Sequence, residues 1–146
     1  MRVKNFPFYA QVDNKDCGPA CIRMIAKYYG RSISLEKLRI LSETTREGSS
    51  LNNIANAAEK IGFRTLGVKV NFEKLNKEAA FPYVIYWQQN HFIIVYKIKK
   101  DTVYVADPAY GLLKYKQQEF IAKWKNTCHY LRMLPKMEIY LGQSLL

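Results

Sequence analysis

Residues 10–30, AQVDNKDCGPACIRMIAKYYG, decide how the rest of the chain is read. They carry two of its three cysteines, a Gly-Pro pair directly after the first, and then a run of helical period. Over residues 18–29, Ala20, Cys21, Met24, Ile25 and Tyr28 fall on one face, and Gly30 is a natural stop. Pro19 suits the first helical turn, where its missing N–H is not needed. Cys17 therefore stands where an N-cap or first-turn residue stands. The unsatisfied N–H groups and partial positive charge of a helix start favour a thiolate over a thiol, and the thiolate is the reactive form.

Packing, a metal, a disulfide and a nucleophile are the possible roles for such a cysteine. A Cys17–Cys21 bridge is disfavoured, because residues four apart on a helix keep their Cβ atoms about 5–6 Å apart. A metal needs more ligands than C-x-x-x-C offers, and neither histidine lies near it in sequence. Cys21, on the apolar face, reads as a buried structural thiol, and so does Cys128. For Cys17 the residues alone leave packing and nucleophile both open.

Outward from this helix, Ser34 is placed to cap a short helix through Leu41. Ser50 is placed to cap a third, in which Leu51, Ile54, Ala55, Ala58 and Ile61 make an apolar stripe ended by Gly62. The pattern then changes. Thr65–Val70, Tyr83–Trp87, His91–Ile98, Thr102–Asp107, Leu113–Lys116 and His129–Leu134 read as strands, with short helices at Glu73–Glu78 and Gln117–Lys125. Lys99-Lys100-Asp101 reads as a hairpin turn and Pro108–Gly111 as a second turn. Helices first and a mostly antiparallel sheet second is an α+β layout, with the N-terminal helices packed on the sheet. Residues 1–135 are expected to form one domain, and 136–146 a tail or the start of a linker.

The bulk numbers agree with a folded domain and narrow its setting. A chain of 146 residues, 49% of them apolar, suits one core. No apolar run approaches the roughly 20 residues of a membrane span, and the N-terminus lacks the apolar stretch of a secretion signal. Three cysteines are too few and too odd for a disulfide framework, which points to a reducing compartment. The formal net charge of +11 fits either general solubility or an acidic partner. The basic residues are scattered and no nucleic-acid module is recognisable, so nucleic acid is not expected as a partner. No Gly-x-x-x-x-Gly-Lys-Ser/Thr occurs, so the chain has no nucleotide site of its own.

A nucleophile needs a base, and the chain has two histidines. His129, beside Cys128, reads as an ordinary strand residue. His91 opens a strand after the polar Gln88-Gln89-Asn90, and Asp107 ends the next one. If Lys99-Lys100-Asp101 pairs these strands antiparallel, the start of one lies beside the end of the other, and Asp107 can orient His91. An oxyanion needs fixed N–H donors. The Cys17 backbone N–H is one, and Gln11 is a side-chain candidate whose plainer reading is a surface glutamine.

Gln11, Asp16-Cys17-Gly18-Pro19-Ala20-Cys21, His91-Phe92-Ile93-Ile94-Val95 and Asp107-Pro108 with Gly111 together resemble the cysteine-peptidase domain of bacteriocin-processing ABC transporters. These domains are also called double-glycine leader peptidases, cysteine peptidase family 39. The likeness runs from about Phe6 to Trp124 and takes in Tyr28-Tyr29-Gly30, Gly48 to Leu51 and Phe81-Pro82. It implies a papain-like fold and cleavage of a leader from a secreted precursor after a Gly-Gly or Gly-Ala pair. It also implies a place on the cytoplasmic side of the bacterial cell membrane, beside the transmembrane and nucleotide-binding domains of an exporter. On the matching positions, Cys17 is the nucleophile, His91 the general base and acid, Asp107 its orienting partner and Gln11 part of the oxyanion hole. No cofactor or metal is expected in the domain, and the partner is the leader segment of the precursor. The other reading of the same likeness is a non-catalytic domain that only binds the cargo's leader.

Overall fold

The computed structural model describes residues 5–69, 71–77, 81–88, 91–124 and 129–135, with only the backbone at 68, 129 and 130. Cys128, the side chain of His129, and the expected tail 136–146 lie outside the described residues.

A single 3-10 turn, Asn14–Asp16, runs into helix α1, Cys17–Tyr28. Helices α2, Leu35–Leu41, and α3, Leu51–Lys60, follow. Both start as their sequences dictate: Ser34 Oγ accepts from the Lys37 N–H at 3.1 Å, and Ser50 Oγ from the Asn53 N–H at 3.0 Å. α3 stops at Gly62, whose φ of +100° belongs to the left-handed region that glycine tolerates. Three fully buried residues of α1, Ile22, Met24 and Ile25, anchor the helical layer. Each buried side chain of this size stabilises the fold by about 1.5–3 kcal/mol.

The second part is an antiparallel sheet in the order β1-β6-β2-β3-β4-β5. Its strands are β1, Phe63–Lys69; β2, Tyr83–Tyr86; β3, Phe92–Lys99; β4, Thr102–Asp107; β5, Gly111–Lys116; and β6, His129–Pro135. Helix α4, Phe72–Lys77, precedes β2, and α5, Gln117–Trp124, precedes β6. Both faces of the sheet are covered. Phe92, Ile94, Ala106, Leu131 and Met133 join the core beneath α1–α3. Ile93, Val95, Val103, Val105, Phe120 and Trp124 form a second core with residues of α4 and α5. Burial on both sides explains why β3 reads as a continuous apolar run.

The β3–β4 hairpin positions the site. Lys99 pairs with Thr102, Ile98 with Val103 and Lys97 with Tyr104; beyond Tyr96, Val95 pairs with Val105 and Ile94 with Ala106. The extra residue at Tyr96 is a β-bulge. Without it Ala106 would face Val95, and the end of β4 would lie one residue farther from His91. Ile94 and Tyr96 alternate onto the helical core and Ile93 and Val95 onto the other, but past the bulge Ile98 packs with Val95, so the facing of β3 is reversed there.

Candidate active site

Three elements converge at one end of the sheet. Cys17 opens α1, which packs against β3; His91 directly precedes β3; Asp107 closes β4. Cys17 and Asp107 are buried, with 5% and 2% of their surface exposed, and the His91 side chain is 20% exposed. The site is thus sheltered but reachable through the histidine.

His91 Nε2 donates to Asp107 Oδ1 at 2.7 Å, so the expected neighbourhood of the two strand ends is realised as a direct hydrogen bond. Asp107 is fixed by its own turn: Oδ1 also accepts from the Ala109 N–H at 2.9 Å, and its carbonyl accepts from the Tyr110 N–H at 3.0 Å. On the other side the imidazole hydrogen-bonds with Cys17. Burial is the largest influence on His91 and favours the neutral ring. The hydrogen bonds with Asp107 and Cys17, and the charges of both, outweigh it and push the imidazole up from 6.5 to about 9. The ring is therefore protonated at neutral pH.

Cys21, one turn below Cys17, is fully buried, as its place on the apolar face suggested. Burial, then the nearness of Cys17 and Asp107, pushes its thiol well above the ordinary range. The two thiols are not bridged. Among the described residues no group of three or more His, Cys, Asp and Glu side chains is placed to hold a metal.

Gln11 reaches the same end of the molecule by a strap. Phe6 stacks between Tyr96, at 4.7 Å between ring centroids, and Tyr28, at 5.5 Å. The Arg23 guanidinium lies 3.9 Å from the centre of the Tyr9 ring. The Gln11 N–H then donates to the Pro108 carbonyl at 2.9 Å, one residue past Asp107. Residues 6–11 thus run back along α1 from its end toward its start. The Gln11 amide is not on the open surface: its Oε1 is buried and has no hydrogen-bond partner among the described residues.

Sequence reasoning missed one strong interaction beside the site. Asp16, fully buried and directly before Cys17, is gripped by Arg39 of α2, with Nε to Oδ1 at 2.8 Å and the terminal nitrogen to Oδ2 at 2.5 Å. The only sequence signal was an acidic residue next to a helix start and a buried cysteine, a charge that requires a partner. Nothing local named a residue 23 positions away.

The Peptidase C39 family model matches residues 5–133. The lactococcin-G-processing and transport ATP-binding protein LagD of Lactococcus lactis is 38% identical over 119 residues, which is 78% of this chain and 17% of that protein. The transport/processing ATP-binding protein ComA of Streptococcus pneumoniae is 31% identical over 142 residues, 92% of this chain and 20% of that one. The chain thus spans about a fifth of the length of these relatives. Among solved structures, a double glycine motif protease from an AMS/PCAT transporter, crystallised with the leader peptide, matches with a TM-score of 0.85 and 32% identity. That match covers 90% of this chain and 93% of the other. The peptidase domain of Streptococcus ComA matches with a TM-score of 0.83 and 26% identity, over 90% of this chain and all of the other. With helices first, an antiparallel sheet second and the family model spanning nearly all of the described residues, the chain belongs to the Peptidase C39 family.

Proposed function

We propose that this domain is an active cysteine endopeptidase that removes the leader of an exported peptide precursor by cutting after a Gly-Gly or Gly-Ala pair. The observation that carries the reading is His91, held by Asp107 on one side and hydrogen-bonded with Cys17 on the other at the start of α1. With the ring protonated, the Cys17 sulfur attacks the carbonyl of the last leader residue as a thiolate. The tetrahedral oxyanion is stabilised by the Cys17 N–H and the Gln11 amide. His91 gives its proton to the leaving amine, then takes one from the water that hydrolyses the acyl-enzyme. Asp107 keeps Nε2 occupied, which leaves the other ring nitrogen to exchange the proton with the sulfur. The activity would serve an ABC exporter on the cytoplasmic side of its membrane, in keeping with the transporters that contain the similar domains.

A groove of about 380 Å³ supports the substrate class. Phe6, Tyr28, Tyr96 and Tyr104 line it, with Lys97 and Lys114 on its rim. Both lysines lie over the Tyr104 ring. The groove reaches Leu112, which pairs with Ala106 next to the Asp107–Gly111 pair, so it begins one step from the catalytic end. An aromatic floor with a cationic rim suits an amphipathic leader helix bearing acidic residues.

The test is mass spectrometry of a precursor with a Gly-Gly junction, incubated under reducing conditions with the wild type and with Cys17→Ala. A single cut after the second glycine, absent in the variant, is expected. Binding of the leader without any cut by the wild type, across a panel of leaders, would replace the peptidase with a cargo-binding domain.

A further inference from the structure

Asp16 belongs to the motif around the nucleophile, yet the proposed chemistry does not use it. Its carboxylate is fully buried and one peptide bond from Cys17. It stands at the N-cap of α1, where an aspartate ordinarily accepts from the N–H groups of the first turn. Ser34 and Ser50 do this for α2 and α3 from extended backbone, with ψ of 149° and 162°. Asp16 has a ψ of 5° and no such bond. Its oxygens are committed elsewhere: both to the Arg39 fork, and Oδ2 also to the Asp13 N–H at 3.1 Å. The Asp16 N–H closes the same turn on the Asp13 carbonyl at 3.0 Å.

A negative charge at this position works against the chemistry next to it. Both the thiolate and the oxyanion are anions, and an uncompensated buried carboxylate beside them raises the energy of each. His91, from the start of β3, and Cys21, below it on α1, are ionisable groups that interact with the thiol. His91 is committed to the thiol and to Asp107, so the charge of Asp16 needs a cation of its own. Arg39 is the main such cation: its hydrogen bonds, then its charge, hold the Asp16 carboxyl below the usual carboxylate range against the opposing pull of burial, with a weaker pull from Lys15.

We propose that Arg39 is a positioning residue of the peptidase that acts through Asp16: its charge compensates the buried carboxylate one peptide bond before Cys17. The effect on cleavage rests on the peptidase reading; the effect on the reactivity of Cys17 does not.

The experiment measures alkylation of Cys17 by iodoacetamide against pH, resolved by peptide mass spectrometry, and in parallel kcat and KM on a Gly-Gly precursor. Arg39→Gln removes the main compensating charge and leaves only the weaker pull of Lys15. Its alkylation is expected to slow by about tenfold at neutral pH, with the pH profile moved upward and kcat reduced at unchanged KM. Asp16→Asn/Arg39→Gln removes both charges and is expected to recover to within about threefold of the wild type. Arg39→Lys keeps the charge and loses the fork, so it is expected to alkylate near the wild-type rate; it also serves if Arg39→Gln does not fold. Wild-type reactivity in Arg39→Gln, a double variant no faster than Arg39→Gln, or an Arg39→Lys that is as slow would each overturn the proposal. A wild type that alkylates rapidly and cuts no leader would instead sink the peptidase reading.

Discussion

Replacing Asp107 with asparagine isolates what holds the proton on His91. The rise of the imidazole from 6.5 to about 9 corresponds to about 3 kcal/mol of preference for the charged ring in the folded protein. That figure is a net one. Burial, the largest influence, opposes it, and Asp107 and Cys17 together overcome burial. The cleanest background is Cys17→Ala, in which the ring no longer titrates together with a thiol. There the ring is expected to titrate between 6.5 and 9, with Asp107 alone against burial. In Cys17→Ala/Asp107→Asn burial acts unopposed, and the value is expected to fall below 6.5. NMR titration of the imidazole carbon-bound protons reads this directly. Stability follows with opposite signs. In the single variant the folded value lies above the unfolded one, so the contribution of His91 is fully present below pH 6.5 and is lost as pH rises through the folded value. In the double variant the folded value lies below, so the contribution grows as pH rises toward 6.5 and beyond. Urea unfolding of the two variants across this range is expected to give diverging slopes. A double variant whose ring still titrates above about 7.5 would refute the assignment of Asp107 and Cys17 as the groups that keep His91 charged.

The thiols make a second prediction: under native conditions iodoacetamide is expected to modify Cys17 well before Cys21, which is fully buried with its thiol pushed up; equal rates would contradict the geometry. Gly18→Ala would place a Cβ 2.3 Å from Ile54 Cδ1. A loss of about 1–3 kcal/mol in urea unfolding is expected, largely recovered by adding Ile54→Val, which lacks that methyl. Tyr104→Ala removes the groove floor beneath Lys97 and Lys114 and is expected to raise KM for leader-bearing substrates about tenfold with kcat little changed; a loss confined to kcat would disconnect the groove from the leader. Ser50→Ala deletes the α3 cap and is expected to cost about 1 kcal/mol, read by thermal unfolding.

The legible parts of this fold are those whose causes are local. The start of α1 follows from Cys-Gly-Pro and the apolar face after it, and the starts of α2 and α3 from Ser34 and Ser50, each bonded to an N–H three residues on. The His91–Asp107 contact was legible for a related reason. A hairpin closed at Lys99-Lys100-Asp101 brings two strand ends together whatever else the chain does. The strand edges were less legible. β5 begins at Gly111, two residues before its expected start, because pairing with Asp107 and Ala106 draws the turn residues into the ladder. The position of β6 inside the sheet, between β1 and β2, has no local signal at all. Strand order is decided by which apolar faces bury best together, and a run such as Leu131-Arg132-Met133 carries no mark of its neighbours.

The same division runs through the site. Cys17, His91 and Asp107 each sit on or beside an element whose type could be read from nearby residues. What brings them into register is non-local. The bulge at Tyr96 advances β4 by one residue toward His91, and nothing in Val95-Tyr96-Lys97 says which of the three goes unpaired. The strap from Phe6 to Gln11 is seated by rings on β3 and α1 and by the carbonyl of Pro108. Arg39 reaches Asp16 from another helix. A partly buried imidazole between two groups of opposite demand tolerates little misplacement, since its hydrogen bonds weaken steeply with angle and distance. The placing of Cys17 and Gln11 against His91 and Asp107 therefore depends on contacts between the helical layer and the sheet. Loss of the strap should then impair catalysis before it impairs folding, because both apolar cores are built mainly from α1–α5 and the strands.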